Sequence, residues 1–210
     1  MLDFSSINTI IFDLGGVLFD IDYRKTSDAF MKLGMKDFDA AYSQAAQSQV
    51  FDEFEKGNVN NEIFRNFIRE NISSQLKDEE IDAAWNAMLI GMEPIKFSTL
   101  EILKTKFPLY LLSNTNGIHL PKVFEMIATQ TPEHSLENSF NHCYFSNQIH
   151  LRKPDAEIFE FVIQQNNLQP SKTLFIDDSI QHVEGAKKVG LQAFHLTKDW
   201  TIEKLFAQIL

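Results

Sequence analysis

The residues Thr9-Ile10-Ile11-Phe12-Asp13-Leu14-Gly15-Gly16 restrict the fold of this chain more than any other stretch. β-Branched and aromatic residues in an unbroken run fit a strand buried on both faces, as in the middle of a parallel sheet. The run ends on a carboxylate. Gly15 and Gly16 follow at once, which lets the backbone turn sharply and expose its N–H groups just past the strand. In an open α/β sheet, ligands bind beyond the carboxyl ends of the strands. Asp13 is therefore placed for chemistry rather than for packing.

Strand-like runs recur at Thr9–Phe12, Leu109–Leu112, Cys143–Phe145, Thr173–Ile176 and Gln192–Leu196. Helical patterns separate most of them: Ile158, Phe159, Val162 and Ile163 share one face, as do Val183, Ala186 and Val189 before Gly190. The alternation predicts an α/β fold, a Rossmann-like parallel sheet with helices on both faces. Between about Asp20 and Pro94 no convincing strand appears. Ile63, Phe64, Phe67, Ile68 and Ile72 form one apolar stripe. A second comprises Ile81, Ala84, Trp85, Met88 and Leu89, behind an acidic first turn of Asp78, Glu79 and Glu80. Such stripes cover one another, so this stretch reads as an inserted all-helical cap. The expected division is a core of residues 1–18 and 96–210 and a cap of 19–95.

Composition excludes several classes. The chain has 210 residues and a formal net charge of −10, with no basic stripe to neutralise a nucleic-acid backbone. One cysteine, Cys143, allows neither an internal disulfide nor a cysteine zinc cluster. Asp13 interrupts the apolar stretch from Ile7 to Phe19, so no signal peptide or membrane span is expected there. These features predict a cytoplasmic protein with no nucleic-acid or membrane partner, acting as a monomer or homodimer.

Three more motifs sit at strand ends or in the loops after them. Leu112-Ser113-Asn114-Thr115-Asn116 offers hydroxyl and amide groups suited to phosphate oxygens, or to capping the next helix. In Arg152-Lys153-Pro154-Asp155, Lys153 is either a phosphoryl-neutralising cation or a solvated lysine before a helix-opening proline. Phe175-Ile176-Asp177-Asp178 places two repelling carboxylates side by side, which a hard cation such as Mg²⁺ or a helix N-terminus compensates. Each motif alone has an ordinary structural explanation. Their order, all at carboxyl ends of one sheet, favours a single shared site.

This order of motifs resembles the haloacid dehalogenase superfamily of phosphohydrolases. Within it, the chain resembles the subgroup containing bacterial glucose-1-phosphate phosphatase and the phosphatase domain of bifunctional epoxide hydrolase. The resemblance implies that Asp13 is the nucleophile, forming an aspartyl-phosphate during hydrolysis of a small phosphorylated metabolite, such as a sugar 1-phosphate. It implies Mg²⁺ held by Asp13, the Gly15 carbonyl, Asp177 and Asp178. Lys153 would offset charge, and Ser113, Asn114 and the backbone near Gly16 would orient the phosphoryl group.

One position departs from the pattern. Most phosphatases of the superfamily carry a second Asp where this chain has Gly15, to protonate the leaving oxygen and later activate water. Asp20 and Asp22 lie close by but read as hinge residues. Lacking the acid, the enzyme is expected to favour anomeric, aryl or acyl leaving groups, since general acid–base help is worth about 10²–10⁴-fold. Phe51, Phe54 and Glu55 read as a cap loop facing the substrate, and core packing explains the two Phe equally well. Arg24 and Lys25 either sense substrate charge or are solvated. His182, where related chains often carry Asn, reads as an ordinary helix histidine. Two other readings are a metal-free 2-haloacid dehalogenase, disfavoured by the Asp177-Asp178 pair, and a catalytically weak ligand-binding or regulatory protein.

Overall fold

A computed structural model describes residues 4–35, 50–71 and 75–210. Five parallel strands form one sheet in the order β5-β4-β1-β6-β7. In chain order they are β1 (Thr9–Phe12), β4 (Leu109–Ser113), β5 (His142–Phe145), β6 (Thr173–Asp177) and β7 (Gln192–His195). The chain moves from β1 to β4 and β5 on one side, then returns to β6 and β7 on the other. The reversal leaves β1 at the switch point, the position where open α/β sheets bind ligands.

Alternate side chains of the central strands feed two apolar layers. Ile10, Phe12, Leu109, Leu111, Leu174 and Ile176 pack on one face with Phe97, Leu100, Leu103, Ile127 and Phe206. Ile11, Leu112 and Phe175 pack on the other with Ile158, Phe159, Val162 and Ala186. The second layer comes from helices Ala156–Gln165 and Ile180–Lys188, and the first includes Pro94–Lys104 and His119–Gln130. β1 and β6 are buried along their whole length. This explains their continuous rather than alternating hydrophobicity.

The segment between β1 and β4 carries helices Tyr23–Lys32, Val50–Glu55, Asn61–Asn71 and Asp78–Trp85. Their stripes meet in a separate cluster of Phe30, Phe51, Phe54, Phe64, Ile68, Ile81 and Trp85, joined by Ile118. Ile72 of the expected stripe lies outside the described residues.

The segment is not purely helical. β2 (Asp20–Ile21) and β3 (Leu89–Gly91) pair antiparallel where the chain leaves the core and returns. Two- and three-residue strands carry no readable period, and Leu89 also fits the preceding helical stripe. That helix ends at Trp85.

Candidate active site

β1 pairs with β4 and β6, aligning Phe12 with Leu111 and Ile176. Asp13 N–H donates to the Ile176 carbonyl at 2.9 Å, locking Asp13 beside the end of β6. Asp13, Ser113 and Asp177 thus finish three adjacent strands at one edge, and all three are buried.

Lys153 reaches this edge from the loop beyond β5 and is completely buried. Its Nζ donates to Asp13 Oδ1 at 2.6 Å, Asp177 Oδ2 at 2.7 Å and the Leu112 carbonyl at 2.9 Å. The Phe175 ring lies 5.4 Å below the ammonium. Asn114 fixes the lysine's backbone, donating to the Lys153 carbonyl and accepting from its N–H, both at 2.9 Å. The solvated-lysine reading is therefore wrong. A buried ammonium persists only with such partners.

Within the Ser113 motif, the last residue does the capping. Asn116 Oδ1 accepts from the Ile118 and His119 N–H groups at 3.0 and 2.9 Å. Ser113 and Asn114 are left at the strand edge, lining the cleft.

Asp178 completes the cluster. Carboxylate oxygens of Asp13, Asp177 and Asp178 lie within 4.8 Å of one another. Gly16 makes this approach possible. It has φ of +78°, and a Cβ there would sit 2.2 Å from Asp178 Oδ2. Gly15 differs from expectation: its φ is not positive, and a Cβ would meet only the Ile21 side chain, nearest at Cδ1 3.4 Å away, ordinary contact. The turn needs one glycine, not two.

Electrostatics follow from burial and these partners. Burial pushes the Asp13 carboxyl up to about 7, against the lowering influence of Lys153. At Asp177, burial acts upward, but Lys153 and His182 outweigh it and hold the carboxyl below its ordinary value. Burial and the Asp177 charge raise Asp178. Burial works against the Lys153 ammonium, yet Asp13 and Asp177 hold its pKa above the usual lysine value. Three carboxylates against one ammonium leave excess negative charge, and hard, clustered oxygen donors fit a divalent cation such as Mg²⁺.

His182 is more than an ordinary helix histidine. Its Nδ1 lies 3.0 and 3.1 Å from the two Asp177 oxygens, and Ser179 N–H donates to Asp177 Oδ1 at 2.8 Å. Helical spacing carries the signal: His182 is the third residue of helix Ile180–Lys188, in the first turn beyond the acid. Asp20 is held by Lys96 at 2.6 Å. Asp22 caps Tyr23–Lys32, accepting from Arg24 N–H at 3.1 Å and pairing with the Arg24 guanidinium. Burial pushes the Cys143 thiol up to about 12, so it offers no competing thiolate.

A cleft of about 990 Å³ opens over the carboxylates. Asp13, Ser113, Asn114, Asp178 and His182 line its floor, and Tyr23–Asp28, Glu55, Trp85 and Met88 line the side formed by the inserted helices. Glu55 is tied back to the floor's rim. Arg152 Nε and Nη2 donate to Glu55 Oε2 at 3.0 and 2.8 Å, and Nη1 reaches Asp52 Oδ1 at 3.0 Å.

The family model for haloacid dehalogenase-like hydrolases matches residues 7–190. The chain is 34% identical over 204 residues to the D-ribitol-5-phosphate phosphatase of Bacteroides thetaiotaomicron, covering 94% of this chain and 96% of that protein. It is 22% identical to the phosphorylated carbohydrates phosphatase of Thermotoga maritima, across 90% and 84% of the two chains. A crystal structure of a HAD family enzyme from B. thetaiotaomicron, in complex with magnesium and inorganic phosphate, superposes with a TM-score of 0.82. The two sequences are 31% identical, over 95% of this chain and 99% of that one. With its five-stranded parallel sheet and a family-model match over residues 7–190, this chain belongs to the haloacid dehalogenase-like hydrolases.

Proposed function

We propose that this phosphoric monoester hydrolase cleaves a small sugar or sugar-alcohol phosphate, with Mg²⁺ as cofactor and Asp13 as nucleophile. One observation carries the reading: Lys153 grips Asp13 and Asp177 at the edge of three central strands, beneath a cleft roofed by the inserted helices. Both named phosphatase relatives act on phosphorylated carbohydrate-type compounds, which supports the substrate class. The magnesium complex of the structural relative supports the cofactor.

In this reading Asp13 Oδ attacks phosphorus and displaces the alcohol, and water then hydrolyses the aspartyl-phosphate. Lys153 lowers the repulsion between anionic nucleophile and anionic ester and steadies charge on the phosphoryl oxygens. Ser113, Asn114 and backbone N–H groups near Gly16 orient the group. Asp13, Asp177, Asp178 and the Gly15 carbonyl would hold Mg²⁺, which supplies further charge neutralisation at the phosphoryl group. Residues 19–95 form the cap, which excludes water and selects the substrate.

The test is a panel of phosphate esters assayed with Mg²⁺, including a sugar 1-phosphate, ribitol 5-phosphate and p-nitrophenyl phosphate. Turnover that stops with EDTA and in Asp13→Asn is expected. Metal-independent turnover, or halide release from 2-haloacids in EDTA, overturns the reading.

A further inference from the structure

When a phosphate ester of an ordinary alcohol is cleaved, its alcohol leaves as a strongly basic alkoxide unless a proton meets it, and Gly15 has no side chain to supply one. The cleft therefore needs a donor from elsewhere. Among the described residues lining it, most titratable groups are committed. Asp13 and Asp178 belong to the carboxylate cluster. Asp22 caps a helix and is held ionised by Arg24. His119 stays neutral, because burial pushes it down to about 3, and its Nδ1 contacts Asn86 Oδ1 at 2.8 Å. His182 Nδ1 is engaged by Asp177. Asp28 stands in solvent.

Glu55 is different. It ends the short helix Val50–Glu55 and lines the same cleft as Asp13. Both Arg152 contacts fall on Oε2, which fixes the carboxyl and leaves Oε1 outside that ion pair. Its backbone is anchored too: Ser146 Oγ donates to the Glu55 carbonyl at 2.7 Å, and the same hydroxyl accepts from Thr115 N–H at 2.9 Å. Thr115 lies two residues beyond Ser113, so the acid is tied to the loop that ends β4.

We infer that Glu55 is the general acid–base of this hydrolase, reaching the leaving oxygen from the cap in place of a side chain at position 15. The inference rests on the phosphatase reading above. As Asp13 Oδ bonds to phosphorus and the ester P–O bond breaks, the leaving oxygen takes the proton from Glu55 Oε1. Water then attacks the aspartyl-phosphate and gives a proton back to Glu55, releasing phosphate and restoring Asp13. The sum is ester plus water to alcohol plus phosphate. The charged and titratable groups acting on Glu55 are Arg152, Asp52 and His182, and burial outweighs the arginine and raises its carboxyl. That keeps the acid form closer to neutral pH.

The discriminating variant is Glu55→Gln, which keeps an oxygen for Arg152 and loses the proton. With Mg²⁺ present, kcat on ribitol 5-phosphate is expected to fall about 10²-fold or more. On p-nitrophenyl phosphate, whose phenolate leaves unaided, the loss is expected to stay within about threefold. Parallel losses on both esters, or none on ribitol 5-phosphate, overturn the assignment. A wild-type measurement guards against a misfolded variant: kcat/KM should depend only weakly on leaving-group pKa across aryl and alkyl phosphates, and a steep dependence overturns the assignment by itself. If wild-type protein hydrolyses none of these esters, the phosphatase reading fails, which is distinct from failure of the Glu55 role.

Discussion

At the scale of single residues, adjacent glycines do different work. Gly16 holds φ of +78° against the Asp178 carboxylate, whereas Gly15 is constrained by neither dihedral nor space. An alanine at Gly16 costs about 1–2 kcal/mol in backbone strain. It also pushes Asp178 out of the cluster, and an ångström-scale displacement of a reacting geometry costs on the order of 10²-fold. Gly16→Ala is therefore expected to lose at least that much kcat/KM, while Gly15→Ala keeps the wild-type melting temperature to within a few degrees. Equal effects of the two in activity assays and melts would refute the distinction. In the sequence the pair looked like one flexible turn, because a dihedral angle and a close approach to residue 178 leave no mark on residue type.

At the scale of elements, the strands were readable and their partners were not. β1, β4, β5, β6 and β7 fall within a residue of the expected runs; in the central strands burial on both faces demands unbroken apolar segments, while the edge strands β5 and β7 are only partly buried. β2 and β3 are not legible in the sequence, because their pairing joins segments far apart along the chain.

The helix His119–Gln130 shows another element-level effect. His119 stacks on Trp85 with ring centroids 5.0 Å apart and 6° between planes. Burial holds it neutral down to about pH 3, whereas an unfolded histidine titrates near ~6.5. Between these values the unfolded chain binds the extra proton. The histidine's contribution to stability is therefore complete above ~6.5 and is lost as pH falls, at up to about 1.4 kcal/mol per pH unit. Urea titrations at pH 7 and pH 5 should show a smaller acid-side loss in His119→Phe than in wild type. Identical losses would rule this out.

Across the whole molecule, the inserted helices have their own apolar cluster, which meets the core through Ile118 and the Trp85–His119 stack, and they also meet it through polar contacts around one arginine. Arg152 bridges Asp52 and Glu55, Lys56 faces Asp155 at 3.6 Å, and His150 Nδ1 lies 2.8 Å from the Lys56 carbonyl. Gly57 passes so close to the core that a Cβ would fall 2.2 Å from the Asn147 carbonyl oxygen. Removing the arginine should loosen this contact without touching the sheet. In Arg152→Ala, amide exchange over residues 50–59 is expected to quicken roughly tenfold with β1 and β6 unchanged, as befits a partly exposed ion-pair network. Uniform acceleration throughout the chain would show that the arginine supports the entire fold instead.

Sequence alone determined the parallel sheet, the helical insertion and the order of the four motifs, since each rests on local composition and period. Tertiary structure decided what those motifs do together. Whether Lys153 is solvated or buried, whether Asn114 or Asn116 caps a helix, and whether His182 and Glu55 face the cleft depend on groups brought together from separate segments of the chain. Such contacts arise only when the sheet fixes its strand order, because the energies that hold a buried charge come from its neighbours in space rather than in sequence.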